Sequence, residues 1–224
     1  MLPRTLEPEV MDTAKEARDY NAMDHSTVNR VFVADCLHAV DDPRFDAEST
    51  RVLDVGTGTA LIPIELGRRT EHCRITAVDL SGEMLSIARQ NIIEAGLTNR
   101  IGTRQIDAKQ LPYEAGEFEA VISNSIVHHI PQPRNVLSEM LRVLRPGGLL
   151  FVRDLVRPDS AETVEHLVKT YAGEENAHQQ QMFRDSLHAA LNMDEIRAML
   201  NELGRPAEWV AQTTDRHWTI VGRP

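Results

Sequence analysis

Cysteine is scarce in this chain: Cys36 and Cys73 are the only two in 224 residues. They are too few for a disulfide framework and lack metal-ligand spacing, and both suit a reducing compartment as buried or partly exposed thiols. Aromatic residues make up 4% of the chain, which leaves few platforms for stacking splayed bases and disfavours base modification. Positive charge is in deficit. A formal net charge of −10 opposes broad affinity for phosphate backbones, so nucleic acid is not an expected partner. No apolar run approaches the roughly 20 residues of a membrane span. The opening Met1-Leu-Pro-Arg-Thr-Leu-Glu-Pro-Glu-Val10 lacks the basic start and apolar core of a signal peptide. A cytoplasmic protein without a membrane partner is the expectation.

Composition is otherwise that of an ordinary globular protein, 42% hydrophobic and 26% charged, long enough to bury one sizeable core. The informative stretch is Arg51-Val-Leu-Asp-Val-Gly-Thr-Gly-Thr-Ala60. Val52, Leu53 and Val55 form the apolar run of a doubly covered parallel strand. Gly56 and Gly58 allow backbone angles and close approach that a Cβ would block. A helix starts near Ala60, its free N–H groups aimed over the turn. Asp79 follows Gly58 by 21 residues and ends a second strand, Arg74–Asp79. A strand, glycine turn, helix, strand and acid in this order is how doubly wound α/β folds hold a nucleoside by its ribose hydroxyls.

Strands and helices alternate further along. Ser26 is placed to cap a helix through Val28, Val31, Phe32, Cys36 and Leu37, with Tyr20, Met23, Asp24 and His25 at the joint before it. The helix after the glycine turn is expected to end near Gly67. Ser81 caps the next, which stops near Gly96. Strands follow at Ile101–Ile106, ending in Asp107-Ala108, and at Phe118–Ser123, followed by Asn124 to Ile130. A helix over about 133–144 leads through Pro146-Gly-Gly148 to a fifth strand, Leu149–Asp154. Residues 156–190 are polar, helical and longer than a crossover needs. A helix over about 192–203 and a hairpin of 208–213 with 217–222 close the chain. Periodicity alone supports a mostly parallel α/β sheet.

Asp54, two residues before the first glycine, sharpens the picture, because a dinucleotide fingerprint does not call for a carboxylate there. The Asp54-x-Gly56-x-Gly58 turn, Asp79, Asp107-Ala108 and Leu144-Arg-Pro-Gly-Gly148 resemble class I S-adenosylmethionine-dependent methyltransferases over roughly residues 50 to 155. Ala60 departs from the pattern, since many members carry a third glycine there. The resemblance implies a doubly wound, mostly parallel seven-stranded Rossmann-like sheet with a reversed last strand. It also implies a helical cover over residues 1–48, a methyltransferase domain over 49–224, and a helical insertion or lid over 156–190 within one folding unit. The cofactor implied is S-adenosylmethionine, with S-adenosylhomocysteine as product.

All candidate ligands lie at the carboxyl ends of strands, where open α/β sheets bind. Gly56, Thr57 and Gly58 pass beneath the nucleoside and methionine portions. Asp54 anchors the amino-acid end, directly or through water, or else braces the turn. Asp79 accepts from the ribose hydroxyls. Asp107 accepts from the adenine amino group, or else caps the next segment, with the Ala108 N–H facing the ring. Leu80 and Ala108 supply apolar contact, and Asn124 completes the cofactor set. The Pro146-Gly-Gly148 turn reads as structural.

Methyl transfer is an in-line displacement at a sulfonium carbon, so much of the rate can come from alignment in a dry site. An alcohol or phenol acceptor needs a base; a neutral amine or thiolate does not. Candidate bases are His128, His129 and Asp154, with His25 and His217 further off. Adjacent side chains diverge by about 100° on a helix, so one of the histidine pair is expected to face the pocket at most and the other to pack or lie exposed. Neighbouring histidines do not make a metal site without further ligands, and none is expected. Ser123-Asn124-Ser125 departs from the Asn/Asp-Pro-Pro-aromatic signature of amino-group DNA and protein-glutamine methyltransferases. A small-molecule acceptor and a monomer or homodimer are the expectation. A non-catalytic S-adenosylmethionine-binding protein and an NAD-dependent oxidoreductase are the alternatives; Gly56-Thr-Gly58-Thr-Ala-Leu61 lacks the third glycine of a dinucleotide fingerprint.

Overall fold

The apolar runs spaced between helices become strands of one sheet: β1 Arg51–Val55, β2 Arg74–Asp79, β3 Ile101–Gln105, β4 Phe118–Asn124, β5 Leu144–Leu155, β6 Val210–Gln212 and β7 His217–Gly222. The computed structural model describes residues 2–8, 12–40 and 42–224, apart from the side chains of residues 43 and 44. Met1, Glu9, Val10, Met11 and Asp41, all within the expected 1–48 cover, lie outside the described residues. The strand order is β3-β2-β1-β4-β5-β7-β6. The first five strands are mutually parallel, and β7 runs antiparallel to both β5 and β6. The chain moves outward from β1 to β3 and then returns beside β1 as β4, so a switch point opens at the carboxyl ends of β1 and β4.

Period-two alternation sorts the sheet residues between two cores. Val52, Ile122 and Phe151 pack with residues of α2 (Ser26–Val40), α3 (Leu61–Arg69) and α4 (Gly82–Glu94). Leu53, Val55 and Val152 face α5 (Pro133–Val143) and α8 (Met193–Glu202). Asp54 shares the parity of Val52 and so points to the side of α2 and α3. A third, smaller core joins α6 (Ala161–Ala172) to α7 (Ala177–Ala189) through Val164, Leu167, Val168 and Leu187, with Leu155 and the N-terminal Leu2. The insertion therefore buries its apolar stripe within its own hairpin and against β5.

Three local expectations change. Ser26 is the first residue of α2 rather than its cap: its free N–H donates to Asp24 Oδ1 at 2.9 Å. Gly67 does not end α3 but lies inside it, because a Cβ there would come within 3.1 Å of Leu97 Cδ1. The glycine allows the helix to approach Leu97 and Ile101. The fifth strand begins at Leu144, and its pairing with β4 shifts register between Phe118 and Ala120. That irregularity absorbs the Pro-Gly-Gly turn, where a Cβ on Gly148 would sit 2.8 Å from the Glu119 carbonyl oxygen. The turn lies away from the cleft described below and is structural.

Candidate active site

The glycine turn is built by β1 and β2 together. The N–H groups of Gly56 and Thr57 both donate to the Val78 carbonyl at 2.9 Å, which folds the end of β1 over β2. Gly56 and Gly58 take φ of 73° and 54°, the left-handed region that glycine occupies without a steric cost. The space above them is used differently. A Cβ on Gly56 would overlap the Ile126 side chain, so that position is filled from within the protein. Above Gly58 the nearest atom is Tyr20 Cε1 at 3.6 Å, brought in by α1 (Ala14–Ala22). Ala60 keeps the left-handed geometry, φ 63°, at the N-cap of α3 without glycine's freedom.

Asp79 organises the turn. Its Oδ2 accepts from the Gly58 N–H at 2.8 Å and its Oδ1 from the Ser81 N–H at 2.9 Å. Burial raises its carboxyl above the usual range and these amide donors oppose the rise. Asp79 also lines the cleft described below. Asp54 is 2% exposed and its Oδ2 has no hydrogen-bond partner. Burial pushes its pKa up to about 7, with the Thr57 hydroxyl opposing and the Asp79 charge adding to the shift. Such a carboxyl is held ready for a positive partner.

A cleft over the carboxyl ends of β1, β2 and β4 is lined by Gly56, Gly58, Asp79, Leu80, Asp107, Ala108 and Asn124. Seven of the nine expected cofactor residues thus meet in one place. The other two, Asp54 and Thr57, line a smaller recess beside it with Tyr20, Asn29 and Asn124. Asp107 also performs the local role, its Oδ1 accepting from the Lys109 N–H at 2.9 Å and pairing with Lys109 Nζ at 3.3 Å. The Asn124 Oδ1 is buried without a partner.

A second pocket adjoins the first and shares Tyr20, Asn124, Ser125 and His129 with it. Its other walls come from the α1–α2 joint, from α6 and α7, and from β7, and include Met23, Val28, Met182, Phe183 and Arg216. His25, His128 and His217 also reach it. His128 and His129 sit on one turn of 3-10 helix, Val127–His129. Their rings lie 4.2 Å apart at 34°. Contrary to expectation they do not diverge: both are enclosed and both line this pocket. The two rings converge on the carboxylate of Glu7. His128 Nδ1 is bonded to Asp154 Oδ1 at 2.5 Å, and its backbone N–H donates to Asp154 Oδ2 at 3.1 Å. Burial lowers the His128 pKa, but the charge and hydrogen bond of Asp154 and the charge of Glu7 together raise it above the ordinary value; Asp154 is held below the carboxylate range against its own burial by the charge and hydrogen bond of His128 and by backbone N–H donors. Burial and the neighbouring His128 drive His129 down to about 3.

Glu7 and Tyr20 are the site residues that sequence reasoning missed. Glu7 lies in a segment without periodicity, 121 positions before His128, so nothing local marked it. Tyr20 stood at the helix joint, and only the packing of α1 on α4 brings it over the glycine turn.

An Asp-capped glycine turn and a strand-end acid at the switch point of this sheet define a nucleoside-binding α/β protein. Residues 53–152 match the family described as a methyltransferase domain. The chain is 30% identical to a ubiquinone/menaquinone biosynthesis C-methyltransferase of Allorhizobium ampelinum over 85% of its own length and 78% of that protein. It is 39% identical to a phosphatidylethanolamine N-methyltransferase of Cereibacter sphaeroides over 46% of its length, and spans about half, 49%, of that relative. The crystal structure of a candidate S-adenosyl-L-methionine-dependent methyltransferase from Methanococcus maripaludis superposes with a TM-score of 0.69 at 19% identity, covering 98% of this chain and 96% of that one, and shares the fold. The chain belongs to the S-adenosylmethionine-dependent methyltransferase family, as its motifs lead one to expect. The family's cofactor is S-adenosylmethionine. Among the described residues no helix is long and apolar enough to cross a membrane.

Proposed function

We propose that this protein transfers the methyl group of S-adenosylmethionine to a small organic acceptor held in the second pocket. One observation carries this reading: the second pocket adjoins the nucleoside cleft and shares four lining residues with it, Tyr20, Asn124, Ser125 and His129. A sulfonium methyl presented at that junction would face an acceptor from the other side, the in-line geometry that displacement requires. In this reading Asp79 accepts from the ribose hydroxyls, and Asp107 and the Ala108 N–H read the adenine. Asp54 and Asn124 take the ammonium end of the cofactor. Leu80, which lines the cleft and is 37% exposed, flanks the adenine.

The acceptor pocket mixes Met23, Val28, Leu155, Met182 and Phe183 with Gln179 and histidines. That lining favours an acceptor with an apolar body and one polar, methylatable edge. Two relatives named for a quinone-biosynthesis step and for phosphatidylethanolamine point the same way. His129, its pKa near 3, is neutral at working pH and a weak base. It can accept a hydrogen bond from an acceptor hydroxyl and so orient it, while Asp154 holds His128 behind it. Calorimetric titration with S-adenosylmethionine and S-adenosylhomocysteine, with NAD as control, tests the cofactor half. Saturable one-site binding that Asp79→Ala abolishes supports it. Absence of binding to either sulfur nucleoside would sink the proposal. The acceptor half is tested by labelled-methyl transfer to phenolic, quinol and amine compounds.

A further inference from the structure

The histidine pair possesses the further ligand that the sequence does not show. Glu7 Oε1 lies 3.4 Å from His128 Nε2 and 3.2 Å from His129 Nδ1, and the donor atoms of the three residues all fall within 4.8 Å of one another. Their side chains are 10%, 3% and 14% exposed. Although so close, neither ring nitrogen makes an aligned hydrogen bond to that oxygen: Glu7 Oε1 and His129 Nδ1 are both buried without a hydrogen-bond partner. Short separations with off-line N–H directions have a simple geometric cause. Ligands placed about 2.0–2.1 Å from a tetrahedral cation are about 3.3 Å from each other, and their lone pairs point at the cation instead of at one another.

From this arrangement we infer that Glu7, His128 and His129 form a binding site for one divalent transition-metal cation of the zinc type. Two imidazole nitrogens and one carboxylate oxygen suit such an ion and are too few and too nitrogen-rich for magnesium or calcium. The supporting shell is present. Asp154 binds Nδ1 of His128 at 2.5 Å, fixing the tautomer whose Nε2 lone pair is free toward the cation, the arrangement by which carboxylates orient metal-bound histidines. Arg4 holds the segment that carries Glu7, donating to the carbonyls of Ala189, His128 and Ile130. A route of access exists as well: a groove lined by Glu7, His129, Met182, Glu16 and Asp185 leads in from the surface, and its extra carboxylates favour a cation. Three protein ligands leave a fourth position, which water would occupy. The inference is independent of methyl transfer, since the metal is recognised by its own donor set.

The test uses the full chain, freed of any affinity tag, stripped with a chelator and titrated with Co2+ as a spectroscopic probe, then with Zn2+ in competition. One equivalent of Co2+ should produce visible ligand-field absorption that Zn2+ abolishes, and Zn2+ should raise the thermal midpoint by mass action. Glu7→Gln and His129→Asn, both at the rim, should each weaken binding at least about 100-fold, and Asp154→Asn by about 10- to 100-fold, as expected for an outer carboxylate. Far-UV circular dichroism of each stripped variant confirms folding; if Asp154→Asn does not fold, the two rim variants decide. A folded wild type that binds neither ion, or Glu7→Gln with unchanged affinity, would overturn the assignment.

Discussion

At the scale of single residues, the buried carboxylates of the candidate site stand under tension between burial and charge, and Asp54 shows it most clearly. Its pKa is 3.8 when free and about 7 in the fold. Between these values the native state holds a proton that the unfolded state has lost, so stability falls as pH rises through this window. Above it the penalty is complete, on the order of 4 kcal/mol for a shift of this size. Asp54→Asn removes this contribution. Urea unfolding at about pH 5 and about pH 8 should show the stability difference moving in favour of the variant as pH rises; a difference that is the same at both pH values, or that moves in favour of wild type, would show that Asp54 is not the titrating group. The same carboxyl predicts proton release. An ammonium bound beside it favours the charged form, so S-adenosylhomocysteine binding near pH 6.5 should release up to about one proton. Calorimetry in buffers of different ionisation enthalpy measures that number, which Asp54→Asn should bring close to zero.

Ala60 sets two small terms against each other. Left-handed geometry costs an L-residue about 1–2 kcal/mol, while its buried methyl, 0% exposed, contributes about 0.8 kcal/mol. Ala60→Gly should therefore be neutral or stabilising by up to about 1 kcal/mol. Ala60→Val adds both crowding and a β-branch at φ 63°, and should cost about 3 kcal/mol or more. Thermal melts of the two variants distinguish a strained turn from a relaxed one.

Elements differ in how much of their position is written locally. The helix after β2 and the helix α8 were legible because each announces itself by periodicity and a capping residue: Ser81 accepts from the Met84 N–H at 3.1 Å and Asn192 from the Asp194 and Glu195 N–H groups at 3.0 and 2.9 Å. Gly67 misled because a glycine kept for close packing against Leu97 looks like a helix stop. The grouping of the candidate cofactor residues was legible for a related reason: Asp54, Gly56, Gly58, Asp79 and Asp107 all lie at or just past the carboxyl ends of strands, and those ends share one edge of the sheet. The histidine cluster was not, because its geometry depends on a non-helical N-terminal segment pinned by Arg4, whose three acceptors lie 124 or more residues away. Arg4→Met should cost about 2 kcal/mol, since charged hydrogen bonds to half-buried carbonyls are lost. Exchange of the Thr5 amide, bonded to the His188 carbonyl at 3.0 Å, should accelerate while amides of β1 and β4 keep their protection. Uniform loss of protection would mean that the segment belongs to the global folding unit.

On the scale of the whole molecule, the N-terminal helices and the insertion meet above the switch point, and Tyr20 is where they connect to the sheet. It lies beside Gly58 and lines the nucleoside cleft, the Asp54 recess and the acceptor pocket together. Its hydroxyl is pushed up to about 12 by burial and then by the charges of Asp79 and Asp54, so it is no base at working pH and acts through position. A residue shared by three cavities is placed to couple their occupancy. Filling the nucleoside cleft should order α1 over the turn, so S-adenosylhomocysteine should slow hydrogen exchange across Ala14–Ala22 as well as in the turn itself. Tyr20→Ala should weaken cofactor binding by about tenfold, roughly 1.4 kcal/mol, and erase the protection in α1. Phe183→Ala, on the far wall of the acceptor pocket, should leave cofactor affinity unchanged and raise KM for the acceptor. If Phe183→Ala instead weakens cofactor binding as much as Tyr20→Ala does, the two pockets are a single site, and the acceptor must be sought elsewhere on the surface.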